Sequence, residues 1–519
     1  MSADRIGTVA SVPAGAEHRL RRWFEGESPA SSPGATRVAA QWGLPLAIGV
    51  LVLLQGAWVA AAHPALRLDP DLLSYLTHWR SWRAGVPANF GYTVPKVLPV
   101  LLFGPAGSPD LAQALSILCA AVAGAALVDV GRRSFGIVAG LFIGIFYVLD
   151  PLRVVLMLRS SADLLVGVGL ILAAAAWSRG HVLTAGLALL MAGLAKPVAV
   201  PCGLVLLLPH AAVPLPRRCL AAALPIFALG ASVWLEGALS GRDLVAIASS
   251  PALPAQHLGF AAVAAGGARD GAAALWLIVG QWMGGLLFAR SWPLVVAGAV
   301  VLAVRSWRGE PGARAGQALV VAPVVLVATY ALLAWHQPIA IYTRFAWPLT
   351  VAAAVLAALA LTACGAFLAR RPVIALAVPA GLACLVLLDR EQDWQWRGPL
   401  MVAPWEANAA AVEQGLTELA AVPGCAAEAV VPLAYLPLAR WRLGDGASAT
   451  MQFCALEDWA EGRGCRTARC ALLVAGAPTT PAAQARMSAL LAGQPSSRVI
   501  DARVALVEVP RSRHPPDSL

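Results

Sequence analysis

The sequence predicts a mainly α-helical, polytopic membrane protein of about 11 transmembrane helices, with a small extracytoplasmic α+β domain at its end. Three observations carry this. Of 519 residues, 59% are hydrophobic and only 13% charged, with a mean hydropathy of +0.71; a soluble surface needs roughly a quarter of its residues charged. The apolar residues fall in long runs separated by short basic or Pro/Gly-rich joints, as bilayer-crossing helices require. The charge is also divided: residues 1–388 hold 26 bases and 14 acids, net +12, whereas 389–519 hold 12 bases and 14 acids, net −2. The bases sit between apolar runs rather than on one patch, which argues against a nucleic-acid partner.

Residues 1–40 read as a polar cytoplasmic segment without the h-region and cleavage site of a signal peptide. Residues 41–388 form the membrane body. Its first run, 42–61, is long enough to cross. Further spans fall at about 109–129, 134–150, 161–177, 182–195, 197–212, 219–235, 291–304, 317–334, 346–368 and 372–388. Two short runs, 182–195 and 197–212, meet at Lys196-Pro197, which points to broken or tilted helices. Arg132/Arg133, Arg179, Arg217/Arg218, the Arg305/Arg308/Arg314 group and Arg370/Arg371 mark one side, shared with Arg19, Arg21, Arg22 and Arg37. The positive-inside rule makes that side cytoplasmic. Residues 271–289 are read as interfacial or re-entrant, because "QWMGG" interrupts them; a true crossing there would invert every later side. The outer face then carries loops 62–108 and 236–290, a short segment near 335–345, and the terminal domain 389–519.

That terminal domain is expected to hold a helix over 405–421, another near 481–492, and short strands in "AAEAVVPLAYLP", "RCALLVAG" and "RVALVEVP". It contains Cys425, Cys454, Cys465 and Cys470, an even set that in an oxidising compartment makes two disulfides, with zinc as the rival. Cys119, Cys202, Cys219, Cys364 and Cys384 lie in or beside apolar runs and read as buried small hydrophobes.

Chemistry-bearing residues cluster on the outer side. In "LDPDLLSYLTHWRSWRAG", Asp69 and Asp71 flank a proline at the start of an amphipathic helix expected to lie along the membrane surface. A carboxylate there is a candidate general base for an acceptor hydroxyl, or simply a helix cap. The chain's only lysines are Lys96, in the same loop, and Lys196; each is a point charge for a phosphate or a snorkelling side chain. In "WHQPIAIYTRFAWPL", Arg344 stands outside, against the positive-inside trend. It can fork two phosphate oxygens with His336 and Tyr342 as further donors, or it anchors an interfacial belt. In "DPLRVVLMLRSSADLLVG", Arg153 and Arg159 are outer-side cations, and Asp163 opens the next span as a first-turn charge or as part of a charged pocket.

Taken in order and on one side, these motifs resemble the GT-C superfamily of integral membrane glycosyltransferases, over about residues 42–390. The resembling pieces are "DPDLLSYL" with its following aromatics, the acid of "RSSADLLVG", "AGLAKP" between the short helices, and "YTRFAWPL". The resemblance implies a polyprenyl-phosphate-linked sugar donor, an envelope glycan, lipid or protein acceptor, and inverting transfer on the extracytoplasmic face of a bacterial inner or plasma membrane. It also implies a loop-acid base: Asp71 if the spacing to Tyr75 is aligned, Asp69 if the Asp-Pro pair is. Arg344 would stabilise the departing phosphate, helped by Lys196 and by Arg153 or Arg159. Metal use differs across the superfamily, so no metal or other cofactor is assigned and a divalent ion stays open. The rival readings are a secondary transporter or lipid flippase, and a noncatalytic envelope-assembly protein.

Overall fold

The computed structural model describes residues 35–85, 96–210, 213–240, 292–310, 312–336, 345, 347–422, 425, 428–432, 435–443, 452–460, 468, 470–474, 481–493, 498–501 and 504–508. The segment 271–289 and residues Arg344, Tyr342 and Cys465 lie outside these, as does the side chain of His336.

Helix starts follow from a simple local chemistry. Asp69, Ser108 and Asp150 each precede a proline, and each side chain accepts a hydrogen bond from a first-turn N–H, at 2.9, 3.3 and 3.2 Å. The proline has no N–H to orphan at that position, and the side-chain cap is worth about 1 kcal/mol. Ser161 caps the next helix in the same way through Asp163 N–H. The resulting order is α1 (Ala35–Ala62), α2 (Pro70–Ala84), α3 (Val97–Phe103), α4 (Pro109–Phe135), α5 (Ile137–Val148), α6 (Pro151–Leu158), α7 (Ala162–Ser178) and α8 (Val182–Ala195). There follow a 3-10 helix (Pro197–Leu207), α9 (Leu215–Ala223), α10 (Phe227–Ser240), α11 (Trp292–Trp307), α12 (Ala313–His336), α13 (Trp347–Phe367) and α14 (Pro372–Ala421).

The chain is a mainly helical, polytopic membrane protein. Among the described residues five helical spans are long and apolar enough to cross a bilayer, and the pair α5–α6, bent by 56°, makes a sixth if counted as one. Several shorter apolar helices accompany them, including α7, α8 and the 3-10 helix. The 3-10 stretch follows from Pro197 and Pro201, whose missing N–H groups and fixed φ prevent an α-helical ladder. Among the described residues five cysteines are free; of these Cys202 is buried, whereas Cys219 and Cys384 are exposed. The expectation that all five pack inside therefore fails for these two, which lie on the outer faces of their helices.

Helix α14 runs for 50 residues without a break near 389, roughly 75 Å at the α-helical rise. The change from apolar to polar sequence after Leu388 therefore does not end the helix. Beyond it lies a five-stranded sheet in the order β2-β1-β3-β5-β4: β1 (Glu428–Val431), β2 (Gln452–Ala455), β3 (Cys470–Val474), β4 (Arg498–Asp501) and β5 (Val504–Glu508). The strands β2, β1 and β3 are parallel, and β5 and β4 are antiparallel additions. Helices α15 (Leu436–Leu443), α16 (Leu456–Ala460) and α17 (Pro481–Gly493) connect them. Cys425 is bonded to Cys470, with Cα atoms 5.4 Å apart, tying the chain before β1 to β3. Cys454 is also disulfide-bonded.

Candidate functional site

Helix α2 is the centre of the site. Its sequence reads as a surface helix with a wet polar face, but Ser74, Thr77 and His78 are buried and only Arg80 and the residues after Trp82 are exposed. The reason is tertiary: α15 of the sheet region packs on it. The Arg80 guanidinium lies 3.3 Å from the centroid of a Trp441 ring and donates to the Trp441 carbonyl at 3.3 Å. Beside this seam is a cleft of about 370 Å³ lined by Trp79, Arg80, Arg83, Gly104 and Trp441, among others. Gly104 is required there, since a Cβ would stand 2.5 Å from Trp79. His78 faces Arg440 and Lys96, and burial first, then these two cations, push its pKa down to about 3.

At the head of α2 the two acids have different surroundings. Asp69 uses one carboxylate oxygen to accept the N–H of Asp71 at 2.9 Å, and the other to pair with Arg159. Asp71 sits in the first turn, 5% exposed. One turn on, buried Tyr75 meets Lys96, whose Nζ donates to the phenol oxygen at 3.3 Å. Lys96, at the start of α3, thus stands beside the helix that opens with the acid pair.

Arg159 ends α6 and pairs with Asp69; four residues later Asp163 stands in the first turn of α7. It accepts from Lys196 Nζ at 2.6 Å, and that lysine, at the end of α8, is 1% exposed. Lys196 Nζ also lies 3.6 Å from the ring centroid of Phe345, which stacks on Tyr330. Two sets of charged contacts are therefore linked by one short stretch of chain: Asp69–Arg159 at the head of the helix that carries Asp71 and the Tyr75–Lys96 contact, and Asp163–Lys196. Phe345, the neighbour of Arg344, belongs to the second group, although Arg344 itself lies outside the described residues.

Arg153 is not with either group. Fully buried, it spends its guanidinium on the carbonyls of Tyr147 and Val148 at 2.9 Å, and on Gln55. It thereby caps the end of α5 at the bend. Sequence reasoning also passed over Asp150, which holds α13 through Trp347 Nε1 and Thr350 Oγ1, both at 3.1 Å. Its partner lies 197 residues away, beyond the reach of any local pattern. Among the described residues no three His, Cys, Asp or Glu side chains gather as metal ligands would.

No protein-family model matches the chain, nor does any curated protein sequence. Solved structures do. The apo form of ArnT from Cupriavidus metallidurans superposes with a TM-score of 0.50 at 14% identity, covering 87% of this chain and 97% of that one. The same protein bound to undecaprenyl phosphate gives a TM-score of 0.44 at 14% identity, over 92% and 98%. At this identity the likeness to the apo form is one of fold.

Proposed function

We propose that this chain is an inverting glycosyltransferase that moves a sugar from a polyprenyl-phosphate donor to an envelope glycan, lipid or protein on the extracytoplasmic face of a bacterial membrane. The observation that carries the reading is the Asp69–Arg159 pair, which joins an acid-bearing loop helix to a basic helix end, one short loop from the Asp163–Lys196 pair. The ArnT-like fold supports it.

Asp71 is the base of this mechanism, as the first-turn acid of α2 whose spacing to Tyr75 matches the acid–aromatic element of the GT-C resemblance, while Asp69 caps the helix and pairs with Arg159. The acceptor hydroxyl gives its proton to the Asp71 carboxylate as its oxygen bonds to the anomeric carbon. The bond from that carbon to the phosphate oxygen breaks on the opposite face, and polyprenyl phosphate leaves with the electron pair. Fixed cations aimed at the developing charge lower the barrier without reorganising. Arg159, Lys196, and Lys96 oriented by Tyr75 fill that role, with Arg344, Tyr342 and His336 as further donors.

The test uses purified protein in lipid with a panel of polyprenyl-phosphate sugars and envelope acceptors. Wild type transfers sugar, and Asp71→Asn loses about 10²–10⁴-fold in turnover while remaining folded, the usual worth of a general base. Substrate movement across the bilayer without turnover would replace the reading with a transporter.

A further inference from the structure

The loop between the two charged groups contains an anomaly that neither the fold nor the acid–base chemistry uses. Helix α6 ends in a Schellman motif: Ser161 N–H bonds to the Leu156 carbonyl at 3.0 Å and Ser160 N–H to that of Met157 at 3.3 Å. The motif needs its penultimate residue in the left-handed region, where glycine is the usual choice because it has no Cβ to clash. Here the position is Ser160, at φ +47°, the only non-glycine residue with positive φ among those described. It is also 0% exposed.

The hydroxyl does not explain the serine by any protein contact. Ser160 Oγ is buried without a hydrogen-bond partner, whereas the adjacent Ser161 Oγ is used fully, as a cap and toward Asp163. A glycine would make the turn with less strain and would bury no donor. The chain thus holds a desolvated hydroxyl between Arg159 and Asp163, at the point where the two charged groups come closest in sequence.

We propose that Ser160 Oγ is a ligand-binding group that donates a hydrogen bond to a phosphate oxygen of the polyprenyl-phosphate donor and of the departing polyprenyl phosphate. This rests on the transferase reading above and adds to it a residue outside the acid–cation set. The desolvation of this donor is incurred on folding, so binding gains its hydrogen bond without breaking a protein one. The neighbouring Arg159 supplies charge, and the serine supplies direction.

The test compares Ser160→Gly and Ser160→Ala with wild type in nanodiscs, measuring binding of decaprenyl phosphate and, separately, of decaprenol. Ser160→Gly relieves the backbone and should melt at or above the wild-type temperature, so it separates the hydroxyl from folding. Both variants are expected to bind decaprenyl phosphate about tenfold or more weakly, as fits a lost hydrogen bond to a charged group, with decaprenol binding unchanged. Ser160→Gly binding decaprenyl phosphate like wild type, or losing decaprenol equally, overturns the role of Ser160. Wild-type protein that binds no decaprenyl phosphate overturns the transferase reading itself, and this role with it.

Discussion

Replacing Lys196 by methionine removes a charge from one of the most enclosed places in the protein. Its Nζ stands 2.6 Å from Asp163 Oδ1 and 3.6 Å from the Phe345 ring centroid. At that separation and an effective dielectric near 20, the direct attraction is about 6 kcal/mol. Desolvation of both ions offsets most of it, so the pair contributes little net stability compared with a well-packed apolar pair. Breaking it from one side is different, because Asp163 stays buried without its lysine: Lys196→Met is expected to cost about 3–5 kcal/mol. Adding Asp163→Asn should recover about half of that, leaving roughly the cation–π contact of 1–2 kcal/mol unreplaced. The assay is reversible unfolding by SDS titration in mixed micelles, run beside sugar transfer. The proposed phosphate role adds a second expectation, that the double variant regains stability but stays down about 10²-fold or more in turnover. A cost under about 1 kcal/mol for Lys196→Met refutes the buried-pair reasoning. Recovery of turnover along with stability would make the lysine purely structural.

Other consequences are independent of that pair. Asp69→Asn should weaken both the α2 cap and the tie to Arg159, lowering stability by about 1–3 kcal/mol, whereas Asp71→Asn should lower turnover about 10²-fold or more in protein that still folds; the reverse pattern would exchange their roles. His78 is held at a pKa of about 3 against 6.5 unfolded, by burial and then by Arg440 and Lys96. Between those values only the unfolded chain binds the proton, so this contribution is whole above pH 6.5 and is lost as pH falls toward 3, at up to about 1.4 kcal/mol per pH unit. Stability measured from pH 7 to 4.5 should flatten in His78→Gln, and an unchanged slope would locate the dependence elsewhere. Cutting the Cys425–Cys470 bond with a Cys425→Ala/Cys470→Ala pair frees a 45-residue separation and should destabilise the sheet region by about 4 kcal/mol in the chain-entropy estimate, read by hydrogen exchange in β1 and β3. Arg80→Ala removes the stack on Trp441 and should loosen α15 from α2 by about 1 kcal/mol, visible as faster exchange in α15 alone.

The membrane character, many helix positions and the helix start at Asp69 were legible in the chain itself. They are decided locally, by hydropathy over one span and by a side chain two or three residues from the N–H it caps. The strands near 428–431, 470–474 and 504–508 were legible for the same reason, and β2 and β4 were missed because four-residue segments carry too little pattern. Among site residues, the acid pair, both lysines and Arg159 could be singled out because a charge in so apolar a chain is conspicuous.

Their roles could not be told apart in this way. Asp69 and Asp71 are the same residue type two positions apart; only the fold brings Arg159, 90 residues on, to Asp69. Arg153 and Arg159 sit on one eight-residue helix and its end, yet one closes a bend in the fold and the other meets an acid. The wet face expected for α2 vanished under a helix more than 350 residues away. Sequence by itself settled where charges and helices lie, because burial of apolar surface and capping act over a few residues. Tertiary structure alone decided which charge faces which, because a buried ion must find its partner wherever in the chain that partner happens to be.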